Sequence, residues 1–178
     1  TVRITPQGGS SASSAPFVID TQPLSAGITI TRQPYLQNMT QSSVVVVWKT
    51  GQTTSGLIEY GATPSLGSSV SGPNGADHAL TLSGLSAGAT IYYRVGSNQG
   101  PLTRLSRFKT APPSNTLDFR FLAFGDSGSG SAEQMGLAKL MSEEPCELIL
   151  HTGDIIYPAG ELMNYDPNFF VPYGSMLR

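Results

Sequence analysis

The sequence predicts a mainly β chain, a β-sandwich followed by a βαβ unit that opens an α/β fold. Three observations carry this. Between 28 and 110, short runs of β-branched and aromatic residues are separated by clusters of Gly, Ser, Asn and Pro. At 111–115 the stretch APPSN interrupts that pattern. Beyond it, two nearly continuous apolar runs flank a segment with helical spacing.

Taken in order, residues 1–27 hold TVRIT, the loop QGGSSASSA and the short piece PFVID. They read as a linker or the tail of a preceding β-domain. Candidate strands then follow as ITITRQPYL, SSVVVVWKT, GLIEYG, HALTLSGL, TIYYRVG and LTRLSRFKT. Turn signals NMTQ, GPNG, SAGA and SNQG separate several of them. Short strands at this density argue a sandwich over 28–111. Trp48, the single tryptophan, ends an apolar strand and reads as a core anchor.

The two prolines of APPSN stop a strand and stiffen a connection, so a second domain is placed over 116–178. LDFRFLAFGD and CELILHTGD read as strands buried on both faces. Between them SAEQMGLAKLMSEE reads as a helix, with Ser131 as cap and Gln134 in capping-box spacing. Leu137, Leu140 and Met141 fall on one helical face. Strand, helix, strand makes the two strands parallel neighbours joined by a right-handed crossover. A further helix is expected after Asp166-Pro167.

Composition narrows the function classes. Of 178 residues, 12% are charged, about half the usual share, and 39% are hydrophobic. Such a chain can bury a core and suits a secreted or periplasmic (cell-envelope) protein. The net charge of −2 without any Lys/Arg run argues against a nucleic-acid partner. No apolar run has the length of a membrane span. No signal peptide stands at the start, but TVRIT begins mid-strand, as if a leader had preceded it. A lone cysteine, Cys146, forms no internal disulfide and reads as core packing. Asn38-Met39-Thr40 is an isolated glycosylation sequon, a match that chance equally explains.

The stretch GDSGSGS, 125–131, admits three chemistries. As a protease loop, Ser127 would need a histidine base oriented by a third group. Only His78 and His151 exist, one in a sandwich strand and one on the second apolar run, and trypsin-like loops lie within β-barrels. As a phosphate cradle it lacks the Gly-Lys-Ser/Thr ending, since no lysine occurs between Lys109 and Lys139. The metal reading gains from a second site. GDSG ends one apolar run and GDIIY ends the other. If the strands are neighbours, Asp126 and Asp154 project into one crevice at their carboxyl ends. Carboxylates so placed repel unless a cation lies between them. Tyr157 is three residues past Asp154, and a phenolate is a hard ligand suited to Fe(III). A Gly-Asp after a strand is also a common turn, and Tyr157 also reads as a strand-edge packer.

Two resemblances follow from these residues. LSGLSAGATIYYRVG resembles the E–F corner of a fibronectin type III domain, with Ile91 standing where the corner tyrosine is expected. FLAFGDSGSG and LILHTGDIIYPAG, behind RQPYLQNMTQSSVVVVWKT, resemble purple acid phosphatases and their bacterial relatives in the calcineurin-like metallophosphoesterase superfamily. Many members of that superfamily begin with Asp-x-His. Here Asp126 is followed by Ser127 and Gly128, and Tyr157 is present, as in the purple branch.

The resemblance implies a phosphomonoester hydrolase with a dinuclear centre. Asp126 would bind the first metal, Asp154 would bridge both, and Tyr157 would give its phenolate to ferric iron. The second ion would be Fe, Zn or Mn in the divalent state. Together they would activate a hydroxide that attacks a phosphate monoester in line. His151 would either lean into this site or, the preferred reading, sit buried in its strand. The family's Asn-His motif and later histidine motifs are missing, so 116–178 reads as the first, incomplete part of a metallophosphoesterase domain, inactive alone. The rival class is an extracellular adhesive or carbohydrate-contacting module, whose Gly-Asp pair is structural or holds one Ca²⁺.

Overall fold

The computed structural model describes residues 20–178. The linker or tail expected over 1–27 therefore lies, for its first 19 residues, outside the described residues. Six strands build the first part: β1 (Ile30–Gln37), β2 (Ser43–Gly61), β3 (Ser68–Ser83), β4 (Thr90–Ser97), β5 (Gly100–Pro101) and β6 (Ser106–Lys109). The first half of β2 pairs antiparallel with β1 and with the second half of β3. Its second half pairs with the first half of β3 and with β4, which continues to β5 and β6. The long β2–β3 hairpin thus passes from one layer to the other. Residues on the two inner faces share one core: Val44, Val46, Trp48, Leu80 and Leu82 against Ile58, Ile91, Tyr93, Val95 and Phe108.

The alternation in SSVVVVWKT sets this up, because every second side chain of β2 from Val44 to Trp48 is buried. Two sequence expectations change here. SSVVVVWKT and GLIEYG are one strand of 19 residues rather than two, with the register shifting between Lys49 and Thr54. GPNG is not a turn but lies inside β3, where Gly72 pairs with Gly56 and Asn74 with Ser55. The intervening Pro73 falls at a register shift, where a residue without an N–H costs no ladder bond.

Trp48 is fully buried and its ring stacks on His78 at 4.7 Å. Tyr93 is 1% exposed and its hydroxyl finds no partner among the described residues; burial pushes its pKa up to about 12. His78 has a partner. The Thr50 hydroxyl donates to the Gln52 carbonyl at 2.8 Å, so it accepts from His78 Nε2–H at 3.2 Å.

Burial lowers the His78 pKa, against a smaller opposing effect of Asp77. The unfolded chain then takes up a proton on this residue at higher pH than the folded one. Stability from His78 is fully present above its ordinary value near 6.5 and is lost as pH falls below it toward the depressed folded value. Thermal melts between pH 7.5 and 5 should show a falling midpoint, and His78→Gln should flatten that fall. A midpoint independent of pH in the unaltered protein would contradict the neutral, buried assignment.

The second part is smaller. β7 (Phe121–Phe124) and β8 (Leu148–His151) pair parallel, Phe124 opposite His151, and α1 (Ala132–Glu143) connects them. Neither strand is buried on both faces as the apolar runs suggest. Phe121, Leu148 and Leu150 are 53, 45 and 46% exposed, because among the described residues helices cover one face only. That face packs Leu122 and Phe124 under Ala138, Met141 and Tyr173. α1 also turns differently from its apolar pattern. Leu137 and Leu140 are exposed, and Gln134, Ala138 and Met141 face inward. Cys146 is only half-buried and lies outside both cores.

The last helical segment starts earlier than Asp166-Pro167. It runs as α2 (Leu162–Tyr165), a π-helical turn (Asp166–Phe170) and α3 (Val171–Tyr173). The π turn is closed by the Val171 N–H on the Asp166 carbonyl. The chain just past this segment docks on the sandwich at β1, where the Leu36 N–H donates to the Leu177 carbonyl at 2.7 Å.

Candidate metal centre

Backbone pairing continues past the ends of β7 and β8 and fixes both Gly-Asp turns. The Thr152 N–H donates to the Phe124 carbonyl at 2.9 Å, and the Ser127 N–H to the Asp154 carbonyl at 3.0 Å. Both aspartates leave their strands in the left-handed region, Asp126 at φ +50° and Asp154 at φ +52°. Asp tolerates this region better than most residues, but two matched occurrences at one crevice are a costly geometry. The turn aims the two side chains at each other across the strand ends.

Between them stands Tyr157. Its hydroxyl lies 2.6 Å from Asp126 Oδ1 and 2.8 Å from Asp154 Oδ2. One phenol carries one proton, so it satisfies one carboxylate at a time. The two carboxylates accept and repel together, and both effects push the phenol pKa well above its ordinary value, the Asp126 bond contributing most. Both carboxylates are exposed, and among the described residues neither is taken up by a main-chain amide.

The structure therefore brings Asp126, Asp154 and Tyr157 around one point. Three hard oxygens with excess negative charge, open to solvent, fit a small, highly charged cation, which would displace the phenol proton. Among the described residues no third His, Cys, Asp or Glu joins them. The donor set fits one ion in part and offers little to a second.

Ser127 and His151 sit beside this point but face inward. The Gly153 N–H donates to His151 Nδ1 at 3.2 Å, which leaves the proton of the neutral ring on Nε2. That proton is then donated to Ser127 Oγ at 2.8 Å. A histidine donating to a serine is not its base, so the geometry opposes the protease reading. The ring packs edge-on against Phe124 and Phe169, and burial lowers its pKa. His151 is a strand residue tying the two loops. His78, the other candidate base, lies in the sandwich core.

Around the site, Gly128 and Gln134 do more than their motifs suggest, and Asn168 carries no sequence signal of its own. Gly128 is buried at φ +82°, and a Cβ there would overlap the Ile155 carbonyl. Its carbonyl accepts from the Tyr157 N–H at 3.3 Å and from Asn168 Nδ2 at 3.2 Å. The Asn168 carbonyl in turn accepts from Gln134 Nε2 at 2.6 Å. Gln134 completes only part of a capping box. Its N–H donates to Ser131 Oγ, but its Oε1 accepts from Gly130 at 2.7 Å rather than from the cap residue.

No family model matches the chain, and no curated protein matches it. Among solved structures, one described as "Structure of PhoD" is 18% identical with a TM-score of 0.55. That match covers 83% of this chain, which spans only 30% of the PhoD chain. A human fibronectin type III domain of collagen XX is 17% identical over 55% of this chain and 100% of its own, with a TM-score of 0.37. Another, from human KIAA0970 protein, is 16% identical over 53% of this chain and 80% of its own, at a TM-score of 0.38. The chain is mainly β, a β-sandwich followed by a βαβ unit, and it shares its fold over most of its length with the PhoD structure.

Proposed function

We propose that the intact protein is a metal-dependent phosphomonoester hydrolase of the purple acid phosphatase type. One observation carries the reading: the Tyr157 hydroxyl lies 2.6 and 2.8 Å from Asp126 and Asp154 at the carboxyl ends of two neighbouring parallel strands. The likeness to the PhoD structure concerns the fold alone, and the reaction is argued from the site. Asp126 and Tyr157 would hold Fe(III), and Asp154 would bridge to a divalent Fe, Zn or Mn. Such a centre supplies Lewis acidity toward the phosphoryl oxygens and lowers the pKa of a water.

The chain's own residues have definite tasks in this reading. Tyr157 would give up its proton to hold a cation, and the hydrogen bond that the two carboxylates share would go with it. Asp154 turns Oδ2 to Tyr157, and its other oxygen would be the one offered to a second ion. The left-handed turns at Asp126 and Asp154 hold both carboxylates forward without help from substrate. The remaining ligands, and the acid that protonates the leaving group, would come from elsewhere in the intact protein.

Tyr157→Phe tests the phenolate. The intact protein should be visibly coloured by charge transfer from tyrosinate to iron, and the variant should lose that colour while still binding metal. A variant of unchanged colour would remove Tyr157 from the ligand set. Elemental analysis separates the enzyme from an adhesive module: two transition-metal ions per chain support the first, calcium alone or no metal the second.

A further inference from the structure

The helical segment 162–173 is anchored on both sides, and its π turn lies between the anchors. Such turns are rare, and they cluster at functional sites. On the sandwich side, Arg32 of β1 grips Asp166 with two bonds, Nε to Oδ1 at 2.6 Å and an NH₂ group to Oδ2 at 3.0 Å. The same guanidinium lies 4.0 Å over the ring of Phe170, which Tyr35 also contacts at 4.8 Å. Arg32 thus touches the first and the last residue of the π turn.

An exposed ion pair would contribute little. This one is bidentate and stacked, the Arg32 side chain is only 17% exposed, and a lysine could reproduce neither contact. Between the two gripped residues, the turn presents Asn168. Its amide donates to the Gly128 carbonyl, the acceptor shared with the Tyr157 N–H. Its own carbonyl receives Gln134, which holds Gly130. Gly130 lies close against the same side chain, since a Cβ there would come within 2.8 Å of Asn168 Oδ1 and push it aside. A continuous line of contacts runs from the sandwich to both loops of the candidate centre.

We propose that Arg32 and Asn168 are positioning residues: through Asp166 and the π turn, the sandwich fixes the two loops that carry Asp126 and Tyr157. What those loops hold rests on the metal-centre reading; that they are held rests on the hydrogen bonds alone. The sandwich is then part of the site's support and not a separate binding module.

The test uses the intact protein freed of metal, with Asn168→Ala, Arg32→Met, their double variant and the milder Arg32→Lys. Melting midpoints check that each is folded. Amide hydrogen exchange over 126–130 and 155–157 reads the loops directly, and titration with Mn²⁺ reads metal affinity. Each single variant should speed exchange at both loops at least about fivefold and weaken Mn²⁺ binding by roughly tenfold. The double variant should fall clearly short of additive, because the Asn168 amide carries the arm to Gly128 while its main-chain carbonyl, which alanine keeps, carries the arm to Gln134. Arg32→Lys should fall between Arg32→Met and the unaltered protein. Unchanged loop exchange in folded Asn168→Ala, or fully additive effects in the double variant, would overturn the proposal. Faster, non-additive exchange in a protein that takes up no Mn²⁺ would uphold the positioning and remove the metal-centre reading instead.

Discussion

On the proposed reading, Asp154→Asn in the intact protein should lower the hydrolysis of an aryl phosphate by about a thousandfold, since it would remove the bridging charge between two metal ions. The substitution is nearly isosteric. The amide oxygen can still accept from Tyr157, so the loops should keep their conformation. Metal-free Asp154→Asn should melt at or above the midpoint of the unaltered protein, because one of two mutually repelling charges is gone. Loss of activity together with undiminished stability is the signature of a ligand. A variant that retains activity within a few-fold would exclude Asp154 from the reaction. One that fails to fold would mark it as a structural turn residue.

The second large effect is expected at Gly128. Alanine there must adopt a left-handed backbone, a cost of about 1–2 kcal/mol by itself. Its Cβ would also press on the main chain of Ile155, with the carbonyl carbon 2.8 Å away and no flexible side chain to yield. The loop must shift, and the carbonyl that receives both Tyr157 and Asn168 shifts with it. Chemical denaturation should show Gly128→Ala destabilised by more than the backbone cost alone, with a parallel loss of metal affinity. Gly136, in the middle of α1 with open space around it, is the control. Gly136→Ala should stabilise the protein by roughly 0.5–1 kcal/mol. Equal stability of the two variants would refute the close packing assigned to Gly128.

The contrast between these glycines shows what a sequence can carry. Gly-Asp at the ends of two apolar runs is legible because strand adjacency follows from a general connection rule, and adjacency alone brings the two turns together. Trp48 is legible because a large apolar side chain on an alternating strand has one place to go. GPNG misleads because turn residues also serve bulges, and pairing over the whole β2–β3 hairpin outweighs the local signal. Leu137 and Leu140 mislead for a related reason. Residue identity points them inward, but α1 presents Gln134 to the 127–130 loop and is rotated accordingly.

The support of the site is hidden from the sequence altogether. Arg32 and Asp166 are 134 positions apart, and Asn168 lies 40 from Gly128. Nothing local in TRQPYL or DPNFF announces either contact. The inward setting of His151 is legible from its strand, but its tautomer is hidden, since that follows from the Gly153 N–H. A serine, a histidine and an aspartate close in space invite a triad reading that only the hydrogen-bond directions refuse.

Anomalous diffraction at the iron edge from crystals of the intact protein is the most direct check. The account predicts a peak within bonding distance of one oxygen each from Asp126, Asp154 and Tyr157, with the phenol no longer bridging the carboxylates. No peak there, in crystals where Tyr157 still donates its proton to the two aspartates, would contradict it.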